Sequence, residues 1–228
     1  MKKLVVLSGA GISAESGIST FRDANGLWEN HRIEDVASPE GFARDPGLVL
    51  NFYNMRRRQL HTVKPNEAHY ILAELERFFD VNIITQNVDD LHERAGSSNV
   101  LHLHGELLKA RPVNSDTIIP WEGDILPGDT DAEGNQLRPH IVWFGEMVPA
   151  MEEAERLASG ADIFLIIGTS MQVYPAAGLI HCVPPGCEIF VIDPNLEHQF
   201  TRFENCFRCG ASQGMHRLKE RLLSELQP

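Results

Sequence analysis

Positive charge is scarce in this sequence: 20 lysines and arginines stand against 32 aspartates and glutamates, a formal net charge of −12. Nucleic-acid affinity comes mainly from basic groups that release counterions, so a nucleic-acid partner is excluded. Long apolar runs are missing as well. The opening "MKKLVVLSGAGISAE" has a basic start, but its apolar part runs only from Leu4 to Leu7 before Ser8 and Gly9, too short for a secretory signal. No other run approaches the roughly 20 apolar residues of a membrane-spanning helix, so no membrane association is expected. Cysteine is the third scarcity. The four present, Cys182, Cys187, Cys206 and Cys209, are too few for a disulfide framework and fit a cytoplasmic, reduced protein.

What is present is ample core material, with 43% hydrophobic residues in 228. Short β-branched runs recur: "KLVVLS" (3–8), "VNIITQ" (81–86), "VLHL" (100–103), "HIVWF" (140–144), "DIFLII" (162–167) and "EIFVI" (188–192). Continuous runs of this kind suit strands buried on both faces, hence a parallel sheet flanked by helices. Helices are expected where Ala68, Ile71, Leu72 and Leu75, and later Met215, Leu218 and Leu222, repeat at helical spacing. Residues 25–78 look mainly helical without a clear strand, and residues 112–137 hold six acids, no lysine or arginine, and many glycines and prolines. The fold class expected is α/β, a Rossmann-like doubly wound parallel sheet made by 1–24, 79–104 and 139–228. Residues 25–78 and 105–138 form a small inserted module.

"GAGISAESG" (9–17) follows the first strand with Gly9, Gly11 and Ala14 in the form G-x-G-x-x-A, which suits a pyrophosphate against backbone N–H groups. Ser13 and Ser16 add hydroxyls. A nicotinamide dehydrogenase would show a second strand ending in an acid about twenty residues on. Residues 29–40 hold acids but no strand, which weakens a hydride-transfer reading. The turn-rich "STFRDANGLWE" (19–29) looks like a lid over a bound cofactor.

"TQNVDDLHERAG" (85–96) ends a strand in Gln86, Asn87, Asp89 and Asp90, at the carboxyl edge where open α/β sheets bind ligands. Asn87 or Asp89 also suits the cap of a helix beginning near Leu91. In "HLHGE" (102–106) His102 and His104 share one face of a strand. No third metal ligand follows at a sensible spacing, which leaves His104 as the candidate general base.

"NFYNMRRRQL" (51–60) reads as helix, with a stripe of Leu48, Phe52, Met55 and Gln59 and with Tyr53 and Arg56 three residues apart on a common face. Arginine triplets on helices are mostly solvated surface.

The segments "GAGISAESGISTFRD", "TQNVDDLHERAG", "HLHGE", "RPHIVWFGE" (138–146), "GTSMQVYPAAG" (168–178) and "GASQG" (210–214), in this order, closely resemble the sirtuins, NAD-dependent protein lysine deacylases. The likeness covers nearly the whole chain and is closest to short bacterial members. It implies NAD as cofactor and transfer of an acyl group from lysine to ADP-ribose. The acyl oxygen attacks the nicotinamide ribose, nicotinamide leaves, and His104 acts as general base on the ribose hydroxyls. Asn87 and Asp89 join His104 as catalytic residues. Further cofactor contacts implied are Gly9, Ala10, Gly11 and Ser13 at the pyrophosphate, and Phe21, Arg22 and Asp23 in the closing loop. Gln86, Asn87 and Asp89 hold the nicotinamide ribose and carboxamide. Gly168, Thr169 and Ser170 face the adenosine, with Ala211 at the adenine. Where many sirtuins place Asn on an adenosine ribose hydroxyl, this chain reads "VIDPN", so Asp193 or Asn195 serves.

Val142, Phe144, Gly145 and Glu146 on one side and Val173 and Tyr174 on the other resemble the segments between which the family clamps an extended peptide by strand pairing. Acylated lysine-containing proteins or peptides are therefore the implied partners, with the enzyme a monomer. Tyr53 and Arg56 match the Tyr-x-x-Arg pair that lines the acyl pocket in the branch removing succinyl and malonyl groups, and Ala37 matches a small residue leaving room for the longer chain. A guanidinium grips a terminal carboxylate by two charge-assisted hydrogen bonds. Arg57 and Arg58 are expected on the surface.

Most sirtuins hold a structural zinc between two Cys-x-x-Cys pairs in the small module. This chain has Pro112 at the first thiolate position and no cysteine within 105–138, so a zinc-free module is expected. A relocated site at the C-terminal cysteines is disfavoured, because "CVPPGC" is looser than the "CFRC" pair. Rival readings are an NAD glycohydrolase or ADP-ribosyltransferase, and a non-catalytic NAD-binding module that recognises acyl-lysine.

Overall fold

The computed structural model describes residues 1–19, 27–28, 30–195 and 205–226. In chain order the N-terminal elements are β1 (Lys3–Ser8), α1 (Ala10–Ser13), β2 (Leu27–Trp28), β3 (His31–Arg32), α2 (Ile33–Val36), α3 (Pro39–Arg44), α4 (Pro46–Leu60) and α5 (Glu67–Leu75). The middle of the chain forms β4 (Asp80–Thr85), α6 (Leu91–Ala95), β5 (Val100–His102), β6 (Gly105–Pro112), β7 (Ile119–Pro120) and β8 (Leu137–Ile141). It closes with α7 (Met151–Ser159), β9 (Ile163–Ile167), β10 (Glu188–Ile192), β11 (Cys206–Phe207) and α8 (Ala211–Ser224).

Six strands form one parallel sheet in the order β11-β10-β9-β1-β4-β5. β1 is central, and its residues Leu4 to Ser8 are all buried, as a strand covered on both faces requires. On one face α5 and α8 press Ala68, Ile71, Leu72, Met215, Leu218 and Leu222 against Leu4, Val6 and Leu165. On the other, Ala154 and Leu157 of α7 and Leu179 of the turn 176–181 cover Val5, Leu7 and Phe164. The sheet is thus doubly wound. Asn66 caps α5 by accepting from Ala68 N (3.0 Å), while its own N–H donates to His69 Nδ1 (3.3 Å).

A second, antiparallel sheet, β7-β6-β8, sits apart from the first, and β2 and β3 form a two-stranded ribbon. Three sequence expectations shift here. Residues 140–144 do not add a strand to the parallel sheet: β8 ends at Ile141 and pairs antiparallel with β6, so it crosses the expected border at 138/139. α5 lies within the expected module yet packs on the large sheet, because its apolar face matches that sheet and not β6. The ribbon β2–β3 gives residues 25–78 a strand pair where none was expected. Among the described residues no helix is long and apolar enough to cross a membrane.

Candidate functional site

Two glycine turns meet where the strand order reverses, with β4 on one side of β1 and β9 on the other. Gly9 N donates to Ile167 O (3.0 Å), and Gly11 N to Gly168 O (2.8 Å). Gly168 has φ +63°, and a Cβ there would lie 2.3 Å from Ile12 N; one on Gly11 would lie 2.6 Å from Gly168 Cα. No other residue fits either position. Gly11 therefore contributes close approach rather than a donor, since its N–H is already bonded. The cleft above this reversal is where open α/β sheets bind ligands.

Behind the turns lies a ring of cross-bonded polar side chains. Asn87 Nδ2 donates to Gly9 O (3.2 Å) and Ser13 Oγ (3.1 Å), and Ser13 Oγ donates to Asp89 Oδ2 (3.0 Å). Asp89 Oδ1 also accepts from Leu91 N (3.2 Å), the first residue of α6, whose N-cap position falls to Asp90 rather than to Asn87 or Asp89. Burial pushes the Asp89 carboxyl up to about 6, against the bonds from Leu91 and Ser13. Gln86 Nε2 donates to Thr169 Oγ1 (3.0 Å), tying the edge of β4 to the turn after β9.

The two histidines have different fates. His104 Nδ1 lies 3.0 Å from Gln86 O, an acceptor only, so the ring proton sits on Nδ1 and Nε2 keeps its lone pair. Burial holds His104 below the ordinary histidine value, although the bond to Gln86 pulls the other way, so it stays a neutral base. His102 instead lies against Asn87 O (3.1 Å) and Glu93 Oε1 (2.7 Å). Burial disfavours its charge, but Glu93 outweighs that and raises it, leaving His102 an ion-pair partner. Glu93, His102 and Glu106 come together, a convergence that sequence spacing does not reveal.

A cavity of about 730 Å³ joins these groups. Gly9, Ala10, Gly11, Ser13, Gln86, Asn87, Asp89 and His104 line its middle. Gly168, Thr169, Ser170, Asp193, Asn195 and Ala211 line one end, where Asp193 Oδ1 accepts from Asn195 N (2.7 Å). Ala37, Tyr53 and Arg56 line the other end with Trp28 and Trp143, which the sequence reading did not single out. Val142, Phe144, Gly145, Glu146, Val173 and Tyr174 line it too, and Phe144 and Tyr174 are exposed. Phe21, Arg22 and Asp23 lie outside the described residues. A buried polar ring beside a cleft formed by two backbone turns is a donor and acceptor set that fits a dinucleotide.

At the far end Trp143 Nε1 donates to Tyr53 Oη (3.0 Å), and the Arg56 guanidinium stacks 3.3 Å from the Phe52 ring centre and 5.0 Å from that of Trp28. Glu146 lines the cavity, but its carboxylate is taken up by neighbouring donors. It accepts from Arg138 (2.6 and 3.0 Å) and Trp143 N (2.8 Å), and this set of donors holds its carboxyl below the usual range despite burial.

The expected surface position of Arg57 is overturned: it is 1% exposed, donating to Leu107 O (2.7 Å) and Asn54 Oδ1 (2.8 Å). Arg58 is exposed and pairs with Asp124. Met55, expected in the apolar stripe, is exposed, because the buried face of α4 runs through Val49, Phe52, Tyr53, Arg57 and Leu60. No periodicity signal marks a buried guanidinium; it is revealed only by the carbonyl it meets on β6.

The small module does not fit a thiolate zinc site. It has no cysteine within 105–138, and its carboxylates serve other donors: Asp124 binds Arg58, Asp129 accepts from Leu126 N (2.7 Å), and Asp131 accepts from Asn135 N (2.8 Å). The four cysteines form no disulfide; Cys182, Cys187 and Cys206 pack against the core under β9 and β10, and Cys209 is buried.

The architecture is that of an open α/β nucleotide-binding enzyme with its cavity at the sheet's reversal point. Residues 9–175 match the Sir2 family, and the chain belongs to that family. An NAD-dependent protein deacylase of Bacteroides thetaiotaomicron is 56% identical over 231 residues, covering 98% of this chain and 99% of the relative. A Sir2 homologue solved as an NAD complex superimposes with a TM-score of 0.91 at 42% identity, covering 99% of this chain and 91% of the other. A Sir2 chain solved with a deacetylated p53 peptide and 3′-O-acetyl ADP-ribose gives 0.81 at 30% identity, covering 96% and 93%.

Proposed function

We propose that this protein removes acyl groups from lysine side chains with NAD as co-substrate, favouring groups that end in a carboxylate: succinyl and malonyl, with glutaryl and acetyl also within reach. The chain is an NAD-dependent protein deacylase by family and by the relatives named above. The acyl preference rests on one observation. Tyr53 and Arg56, a helical turn apart on α4, line the same cavity as His104. A phenol and a guanidinium there match a carboxylate and offer nothing specific to a methyl group.

NAD, when bound, supplies the bond between nicotinamide and ribose whose cleavage leaves the ribose as acyl acceptor. Gln86, Asn87 and Asp89 would hold that ribose and the carboxamide, and the Ala10 backbone with Ser13 would face the pyrophosphate, Gly9 and Gly11 allowing its close approach. Asp193 or Asn195 would take an adenosine ribose hydroxyl. His104 Nε2 receives the ribose hydroxyl proton, a role its tautomer favours. The acylated peptide enters between Val142–Glu146 and Val173–Tyr174. With one water consumed, the products are the free lysine side chain, nicotinamide and O-acyl-ADP-ribose. On this reading the enzyme works in the cytoplasm as a monomer, its small module needing no zinc.

Mass spectrometry of products from NAD with matched acetyl- and succinyl-lysine peptides tests the proposal. Nicotinamide and O-succinyl-ADP-ribose in equal amounts, formed faster than the acetyl product, are expected. Nicotinamide without acyl transfer would mean a glycohydrolase, and peptide binding without nicotinamide release a recognition module. Turnover of the acetyl peptide alone would remove the acyl preference.

A further inference from the structure

The acyl end of the cavity contains a hydrogen bond whose direction is fixed by chemistry. An indole N–H can only donate, so Trp143 Nε1, 3.0 Å from Tyr53 Oη, occupies a lone pair of the phenol oxygen. The hydroxyl hydrogen must then point elsewhere. Tyr53 is 0% exposed, and among the described residues no group accepts that hydrogen. Tyr53, Trp143 and Arg56 all line the cavity, so the phenol forms part of its wall.

The indole is not free to turn. The Arg138 guanidinium lies 3.3 Å from its ring centre, and Arg138 donates to Glu146 Oε1 (2.6 Å), Glu146 Oε2 (3.0 Å) and Ile141 O (2.9 Å). Glu146 in turn accepts from Trp143 N (2.8 Å), so the same residue holds both the guanidinium and the indole's backbone. A cation over the ring face also strengthens the N–H as a donor.

We propose that Trp143 is a positioning residue for acyl-group selection: by donating to Tyr53 Oη it forces the phenol to act as a hydrogen-bond donor into the cavity, where an acyl carboxylate accepts and an acetyl methyl cannot. This rests on the acidic-acyl reading given above. Burial also pushes the Tyr53 phenol well above its ordinary value, outweighing the bond from Trp143, so the hydrogen stays on oxygen and no second negative charge opposes the ligand. Arg138 and Glu146 act one step further back, and the Glu146 side chain serves this support rather than the peptide.

The test is a double-mutant cycle of Trp143→Phe and Tyr53→Phe, read as the ratio of kcat/KM for succinyl- over acetyl-lysine peptides. Each single variant is expected to lower that ratio about fivefold, mostly through KM, the worth of one hydrogen bond. The double variant should fall no further than Tyr53→Phe alone. Independent, multiplying effects, or a Trp143→Phe loss shared equally by both substrates, would overturn the proposal. If Trp143→Phe does not fold, benzothienylalanine in place of Trp143 keeps the shape and removes only the N–H, and the same ratio decides. Arg56→Met is run alongside. An unchanged ratio there would refute the acidic-acyl reading itself, whereas a fallen ratio with independent Trp143 and Tyr53 effects would refute only the role of Trp143.

Discussion

The two ends of the cavity are built on opposite principles. At the sheet edge Ser13, Asn87 and Asp89 bond to one another and to the Gly9 carbonyl, and Gln86 bonds to Thr169, a closed set that holds its own geometry. At the other end, proposed above for the acyl group, the polar atoms sit on aromatic supports, Arg56 over Phe52 and Trp28 and Tyr53 against Trp143. A self-satisfied polar ring suits a cofactor every turnover must use. An aromatic sleeve with a donor and a cation at its end suits selection among substrates. Substitutions at the first end should therefore harm all acyl substrates alike, and those at the second should discriminate.

The largest effect is expected at the shared end. His104→Ala should slow acetyl and succinyl removal equally, by about 10²–10⁴-fold, as loss of a general base does, with NAD binding retained in a calorimetric titration. Unequal losses would break the contrast between the ends. Because His104 is held below the ordinary histidine value of 6.5, the acid limb of kcat/KM should fall below pH 6.5 for both peptides.

Next in size is the support under the acyl end. Arg57→Met removes a buried guanidinium bonded to Leu107 O and Asn54 Oδ1 and should lower unfolding stability by about 2–4 kcal/mol in a denaturant titration. Arg58→Ala, at an exposed ion pair, should leave the midpoint in place. Equal effects would deny that the neighbouring arginines differ.

A smaller effect concerns Asp89. Its folded value of about 6 lies above the ordinary 3.8, so the folded chain binds more protons than the unfolded one between these values. Stability is then lost as the pH rises through that window. Asp89→Asn should raise the thermal midpoint at pH 7.5 while slowing turnover, and the gain should shrink as the pH approaches 4. A variant less stable at pH 7.5 would contradict this. The smallest expectation is none at all: a strong chelator should change neither fold nor activity, and one zinc per chain in metal-washed protein would refute it.

The sheet edge was legible in the sequence because its residues come in contiguous motifs that end strands: Ser8 to Ser13, Thr85 to Asp89, Gly168 to Ser170. Continuous apolar runs named five of the six parallel strands, and β11 escaped because two residues, Cys206 and Phe207, are too short a run to register. β8 was misjudged because "HIVWF" is as apolar as a buried strand, while its pairing is antiparallel to β6. The acyl end was only partly legible. Helical spacing placed Tyr53 beside Arg56, but Trp28 and Trp143 reach it from β2 and from the loop after β8, and nothing in spacing brings them together. Arg57 was unreadable for a similar reason: burial of its charge depends on a carbonyl fifty residues away.

The most direct test of the central claim is the effect of Arg56→Met on matched peptides. A charge-assisted bond to a carboxylate that only the acidic acyl group carries predicts about a tenfold to hundredfold fall in kcat/KM for succinyl-lysine, with acetyl-lysine far less affected. Equal slowing of both peptides would contradict the account and leave Arg56 a structural residue of α4.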